Sequence, residues 1–312
     1  MRVGGGTEEA WSAQYWARPY LEHVPDAELY QRGHDIFSNL AATLDSVRSG
    51  EDPPEATRWL SLWTHFLEES DRRFGILPAG FPPKFWDGYA QPPCSARITH
   101  LALAARKRLP PSGTYFVKYG EAGYLRSALE TGRIQVSPAS SYSHSSNPAL
   151  RDKELELDFN FLPSELKMEV LDRRTRQPKG LITPIDNVIQ QRMKRDYYVY
   201  CFSESYSPLL FAHFGYAACL VIHQHEQFVE RIITALEAQL PGWVGALTPV
   251  SYIDPFNAKI TEVDIYSSKH FRYAYEREWR IVWLTAKPVQ TLSPKLVEIG
   301  PLTDLCELID LA

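Results

Sequence analysis

The chain has 312 residues, a length that fits one large domain or two modest ones. Hydrophobic residues make up 44% of it, aromatics 12%, and the net charge of −5 gives no bulk attraction to nucleic acid or to a membrane surface. No apolar run approaches the ~18 residues of a membrane span, no secretory signal core is visible, and the four cysteines lack CxxC spacing, so the expectation is a cytoplasmic protein without disulfides or zinc.

The first part of the chain, to about residue 109, reads as helical. Leu29, Ile36, Phe37, Leu40, Leu44 and Val47 recur at helical spacing, with Asp26 after Pro25 as the start and Gly50, Pro53 and Pro54 as the stop. Trp59, Leu62, Trp63, Phe66 and Leu67 form a second apolar face. Its tryptophans read as core, not as a ligand cage. A proline-rich connector from Pro78 to Pro93 follows, then a third helix over Ser95 to Arg108. Pro110, Pro111, Ser112 and Gly113 break the chain, and the domain boundary is placed there: 1–109 helical, 110–312 α+β.

After Gly113 the period changes to that of strands. Strands are expected over Thr114–Lys118, Arg133–Ser137, Leu155–Phe161, Tyr197–Ser203, Ala217–Ile222, Leu247–Ile253, Trp279–Leu284, Pro288–Leu292 and Leu296–Ile299. Helices are expected over Glu121–Thr131, closed by Gly132, over Gln224–Leu240, and as a closing helix over Thr303–Leu311. Regular strand–helix–strand alternation is missing, so a mixed or antiparallel sheet with peripheral helices is favoured over a doubly wound one.

The most informative stretch is Tyr275-Glu276-Arg277-Glu278-Trp279-Arg280, running into Ile281-Val282-Trp283-Leu284. On an extended chain Glu276 and Glu278 share one face while Trp279 turns into the core. Adjacent carboxylates resist joint ionisation unless they bind or act on something. The bland alternative is a surface ion-pair ladder neutralised by Lys269, Arg277 or Arg280. Three other clusters accompany this one. Lys118 and Tyr119 end a strand, where the lysine fits a phosphate or plain solvent. The serine-rich stretch from Ser137-Pro138 to Glu154 reads as a lid or as a surface loop. Tyr200-Cys201-Phe202-Ser203 leads into His213-Phe214-Gly215, a surface able to seat a flat ring, or ordinary core. His223-Gln224-His225 has no third ligand in view, and no GxGxxG, P-loop or GxSxG occurs.

Together these clusters resemble an uncharacterised prokaryotic domain family with the pattern K-Y, G-[RK]-[IL], S-P…N-[DP], C-F-S, a His–Gly turn and Y-E-x-E-W-R. The matching residues are Lys118-Tyr119, Gly132-Arg133-Ile134, Ser137-Pro138 with Asn147-Pro148, Cys201-Phe202-Ser203, His213 to Gly215, and Lys269 with Tyr275 to Arg280. The resemblance covers about residues 114–312. The serine-rich insert before Asn147 departs from the pattern, as does Phe214, where a tyrosine is expected.

That family is in turn distantly similar to the ADP-ribosyltransferase-like superfamily. The similarity implies a split β-sheet holding NAD in a cleft, with NAD as substrate and an unidentified protein or nucleic acid as acceptor. It implies Glu278 and Glu276 as catalytic residues, and Lys118, Tyr119, Ser203, Phe202, Tyr200, His213 and Arg280 around the dinucleotide. Lysine is an unusual first motif for that superfamily. The expected function is an NAD-consuming ADP-ribosyltransferase or glycohydrolase of the toxin or phage-defence kind. Two alternatives stand beside it: a non-catalytic nucleotide- or protein-binding module, and a metal-dependent nuclease using Asp152, Glu154 and Glu276.

Overall fold

The computed structural model describes residues 5–48, 55–75, 85–88, 95–110, 112–144, 147, 151–289 and 291–312. Parts of the proline-rich connector and of the serine-rich stretch, including Pro148, lie outside these residues, as do Gly50, Pro53 and Pro54.

Among the described residues four α-helices precede the first strand: α1 (Gly5–Ala17), α2 (Asp26–Arg48), α3 (Ala56–Phe74) and α4 (Ala96–Arg106). The apolar spacing read from the sequence is the packing surface of α3 and of the first part of α2, whereas Leu44 and Val47, near the end of α2, are exposed. Leu29 and Ile36 meet Trp59, Leu62 and Phe66 in one buried cluster with Tyr15 and Tyr20. The same cluster takes in Phe271 and Ala274, so the helices close directly onto the segment that bears Glu276. A buried ion pair adds to this contact: Arg32 Nη2 donates to Asp254 Oδ2 at 2.6 Å. The Arg32 guanidinium also lies over the rings of Tyr20, Phe256 and Phe271.

The remaining elements run β1 (Phe116–Gly120), α5 (Ala122–Thr131), β2 (Arg133–Pro138), β3 (Glu156–Phe161), β4 (Met168–Leu171), β5 (Pro178–Ile182), β6 (Val188–Met193), β7 (Tyr198–Ser203), α6 (Pro208–Phe214), β8 (Ala218–Ile222), α7 (His225–Gln239), β9 (Trp243–Pro249), β10 (Ser251–Ile253), β11 (Ser268–His270), β12 (Glu278–Thr285), β13 (Lys295–Glu298) and β14 (Cys306–Asp310). The fold is α+β. Every pairing in the eight-stranded main sheet is antiparallel, and the parallel pair β10–β11 stands apart from it. Helices α5 and α7 cover one face through Leu125, Phe228, Ile232 and Leu236, packed on Phe116, Tyr200, Phe202, Ile281 and Trp283. Helices α4 and α6 cover part of the other, against Val117, Tyr119 and Val221.

Gly132 ends α5 as the sequence predicts. Its φ of 70° is left-handed, and a Cβ there would lie 1.9 Å from the Gly300 carbonyl oxygen, so both conformation and space demand glycine.

Three expectations need correction. The closing helix is absent: 306–310 is β14, paired antiparallel with β8. Leu302, Leu305, Cys306 and Ile309 do follow a helical spacing. That local pattern loses to the free edge of β8, whose backbone groups β14 satisfies. No strand forms over the described part of Pro288–Leu292. The strand expected over Leu247–Ile253 is two strands, β9 and β10, divided at Val250.

The site depends on how β7 shares its edges. One edge pairs with β12 along its whole length, from Glu278↔Ser203 to Trp283↔Tyr198. The other edge is divided. Its end, at Ser203, faces Val117 of β1, and its beginning, at Val199 and Tyr198, faces Ser137 and Pro138 of β2. Between these contacts β1 and β2 diverge, and the sheet is split beside Cys201.

Candidate functional site

The split is occupied by one side chain. Lys118 Nζ donates to the Cys201 carbonyl at 2.9 Å and sits 4.5 Å from the Tyr200 ring centroid. Burial pulls the Lys118 ammonium below its ordinary pKa. A cleft opens here, with about 80 Å³ of interior free space beneath an open mouth. Lys118, Ser203, Glu276 and Glu278 all line it, with Tyr142 and Tyr216.

Register explains part of this convergence. Residues directly opposite in neighbouring strands share a face. Val117, Ser203 and Glu278 therefore form one row across β1, β7 and β12. The next row on that face holds Cys201 and Arg280. Glu276 arrives differently. It closes a 3-10 turn over Phe271–Glu276, and Arg277 follows it at φ 47°, a left-handed conformation. The alternation predicted for Glu276 and Glu278 actually relates Glu278 to Arg280. A backbone reversal at Arg277 brings Glu276 to the same place.

Both carboxylates are buried, at 5% and 6% exposure, so the surface-ladder reading is replaced by an interior charge network. Lys269 Nζ donates to Glu276 Oε2 at 2.9 Å and to Glu278 Oε2 at 3.0 Å. Asp152 and Glu154 stand 3.9 and 4.0 Å from the same ammonium. Arg280, wholly buried, donates to Glu278 Oε1 at 2.9 and 2.7 Å and to Glu154 Oε2 at 2.9 Å. Arg277 pairs with Glu204 at 2.7 Å.

The two glutamates diverge electrically. Burial works against ionisation of Glu278, but Arg280 and Lys269 outweigh it and hold the carboxyl well below its ordinary range. Burial pushes Glu276 up to about 8 because Lys269 compensates it only in part, and the Glu278 charge adds to the rise. Asp152 is pushed up to about 6 by burial and by Glu154. Glu276 Oε1 is buried without a hydrogen-bond partner. A neutral carboxyl with one free oxygen at a cleft is a candidate acid or base; an ionised carboxylate bound by two cations is a fixed charge.

The other predicted site residues divide. Phe202 and Tyr119 border the cleft, although Phe202 stacks on Phe116 and the Tyr119 hydroxyl exchanges hydrogen bonds with the main chain of Ser207. Ser203 Oγ shares its one proton between the main-chain carbonyls of Glu276 and Ser205, so it holds the turn in place and presents no free donor. Tyr200 faces the α5/α7 core, His213 packs on Tyr275, and Arg280 lies beneath the carboxylates; none of the three lines the cleft. Burial lowers His213 to about 4, which leaves it neutral at physiological pH.

Tyr142 belongs to the cleft and sequence reasoning passed over it. It sits in a 3-10 turn over Ala139–His144, and its signal is that it is the one aromatic residue within the serine-rich run. Asn147 ties that run to the His–Gly turn, with Nδ2 donating to the Phe214 carbonyl at 2.7 Å. Two separated pieces of the sequence pattern thus meet.

The nuclease reading loses its ligand set. Asp152, Glu154 and Glu276 converge on Lys269, whose ammonium stands where a divalent ion would, and no metal-ligating group of three appears among the described residues. Among the described residues no helix is long and apolar enough to cross a membrane. No protein-family model, curated protein or solved structure matches the chain.

Proposed function

We propose that the protein binds NAD in the split of its sheet and cleaves the nicotinamide–ribose bond, passing ADP-ribose to water or to an acceptor. The observation that carries this reading is the convergence of Lys118, Ser203, Glu276 and Glu278 from three adjacent strands and a turn on one cleft. The resemblance of the K-Y, C-F-S and E-x-E-W-R pattern to the ADP-ribosyltransferase-like superfamily supports the same reading.

The chemistry assigns the glutamates distinct roles. When the glycosidic bond breaks, its electron pair leaves with nicotinamide and positive charge develops on the ribose. The fixed negative charge of Glu278 favours that state over the ground state. Glu278 is already saturated by Lys269 and Arg280, so the ribose hydroxyl or the incoming nucleophile meets Glu276 Oε1 instead. The nucleophile's oxygen forms the new bond to the ribose, and its proton passes to Glu276 in the ionised fraction that a value of about 8 leaves near neutral pH. The Lys118 ammonium faces the dinucleotide phosphates as a point charge, and Tyr142 and Tyr216 offer rings for stacking.

Incubation of the purified protein with NAD, followed by chromatography for free nicotinamide, tests this. Release that disappears in Glu276→Gln and in Glu278→Gln is expected. Equal release from the native protein and both folded variants rejects the assignment. A second reading, binding without turnover, has its own support: Lys118 and Ser203 already make internal hydrogen bonds. NAD that shifts the melting temperature yet yields no nicotinamide selects that reading.

A further inference from the structure

A second cavity borders the charge network. It has about 320 Å³ of interior free space, at the lower end of small-molecule sites, about 300–1,000 Å³. Its walls come from β3, from the end of β6 and from the chain between Ile253 and Arg272, and it shares Asp152, Glu154 and Lys269 with the first cleft.

Lys194 lines this cavity just past the end of β6. Strand alternation puts it there. Met193 turns outward at 61% exposure, and Lys194, next in the chain, turns inward at 7%. Its backbone N–H donates to the Leu155 carbonyl at 2.8 Å and fixes the residue beside the start of β3. The ammonium has neither a hydrogen bond nor an ion pair among the described residues, yet it is not sealed from the cavity. Lysines are almost never buried without a partner, so this one calls for a reason.

An ammonium so placed loses its proton readily. Burial lowers Lys194 to about 8 against the opposing pull of Glu154, and the Arg280 charge adds to the fall. About a tenth of the side chain is then free amine at neutral pH, against on the order of a few ten-thousandths for an ordinary lysine. A free amine is a nucleophile for a carbonyl carbon.

The walls narrow the class of carbonyl compound. Four carboxylates, Asp152, Glu154, Glu156 and Asp158, border the cavity against four cations, Lys269 and Arg272 among them. His270 adds no charge, since burial lowers it to about 3. This balance favours neither an anion nor a cation, and the polar wall suits an uncharged ligand with hydroxyl groups.

We propose that Lys194 is a covalent site for a small uncharged hydroxyaldehyde, held in this cavity as an imine. The amine nitrogen adds to the carbonyl carbon, its two protons leave with the carbonyl oxygen as water, and the C=N bond forms without any oxidant or reductant. Asp152 borders the same cavity with a carboxyl raised to about 6 by burial and by Glu154, a group suited to carry those protons. The site does not depend on the NAD reading, which gives Lys194 no role.

Incubation of the full chain with glyceraldehyde and cyanoborohydride near neutral pH tests it. The hydride reduces the imine to a stable secondary amine, and peptide mass mapping locates the label. Lys194 should be labelled at least about tenfold faster than the exposed Lys179 and Lys259, at a rate that saturates with aldehyde concentration. Glyoxylate, an anionic aldehyde, should show a smaller preference for Lys194 over those two lysines. Lys194→Met should lose the fast label and keep the surface ones; if that variant does not fold, the map of the native protein decides alone. Labelling of Lys194 no faster than of the exposed lysines, a rate linear in aldehyde, or a greater preference with glyoxylate overturns the proposal. Nicotinamide release has no part in the readout, so this site and the NAD reading fail separately.

Discussion

Lys269 holds one oxygen of Glu276 at 2.9 Å and leaves the other buried without a partner. The site's charge is thereby neutralised from within by Lys269, one of the three cations the sequence offered for a surface ladder. A buried cation among four carboxylates cannot be removed without leaving them uncompensated. Lys269→Met is expected to cost on the order of 3–5 kcal/mol, read as a shift of the urea midpoint at constant slope. A loss below about 1 kcal/mol would show that the network is solvated and that the burial argument fails.

Glu276 makes stability depend on pH in a defined direction. Its carboxyl is raised from the ordinary 4.5 to about 8. The folded state keeps a proton that the unfolded chain gives up above the ordinary value. The resulting stabilisation is complete in acid and is lost as pH rises through about 8. Glu278 and Glu154, both lowered, act oppositely and lose their contribution as pH falls. His213 and His270, neutral in the fold and charged when unfolded, act the other way below their ordinary 6.5, so the native melting temperature should decline between about pH 6.5 and pH 8, and Glu276→Gln should flatten that decline. Asp152, raised to about 6, leaves a residual slope at lower pH. A variant whose profile overlays the native one would place Glu276 in an ordinary ionised state.

The Arg32–Asp254 pair fastens the helical part of the chain to the site. Both side chains are buried, and α2 also holds the 271–276 turn through Asn39. Breaking the pair leaves a buried charge, so Arg32→Met should destabilise by roughly 3–5 kcal/mol. Hydrogen exchange localises the effect: amides of 271–277 should exchange faster than those of β8, which the pair does not touch. Uniform acceleration across both segments would mean that the pair supports global stability without positioning the turn.

Local rules made the strands and the caps legible. The β1, β7 and β12 segments, Gly132 and the K-Y, C-F-S and E-x-E-W-R stretches were all readable because strand period, turn chemistry and motif order are encoded over a few residues. What could not be read depends on distant partners. Whether 306–310 is helix or strand is decided by an open edge at β8. Glu278 is saturated by Lys269 and Arg280, and Arg280 is itself held by Glu154, 126 residues away. The left-handed turn at Arg277 had no glycine to announce it, and the burial of the carboxylates follows from helices more than 200 residues upstream, as the 222-residue separation of Arg32 and Asp254 illustrates.

Lys118 separates structure from ligand binding in the split. Its ammonium satisfies the Cys201 carbonyl at a point where neither β1 nor β2 pairs with β7. Lys118→Met keeps most of the side-chain volume and abolishes both the charge and that hydrogen bond. Leaving a buried carbonyl unmet costs about 1–3 kcal/mol, so a modest drop in melting temperature is expected whatever the cleft binds. Lys118→Arg retains charge and donors but puts a broad planar group into a gap that holds one ammonium, so it should restore stability only partly. Ligand binding is the discriminating readout. If Lys118 meets the phosphates of NAD, Lys118→Met weakens affinity in calorimetry by about tenfold or more, and the native affinity falls with added salt while the variant's falls less. Equal affinities and equal salt dependence in the two proteins would confine Lys118 to holding the split sheet together, and the phosphate contact would have to come from elsewhere in the cleft.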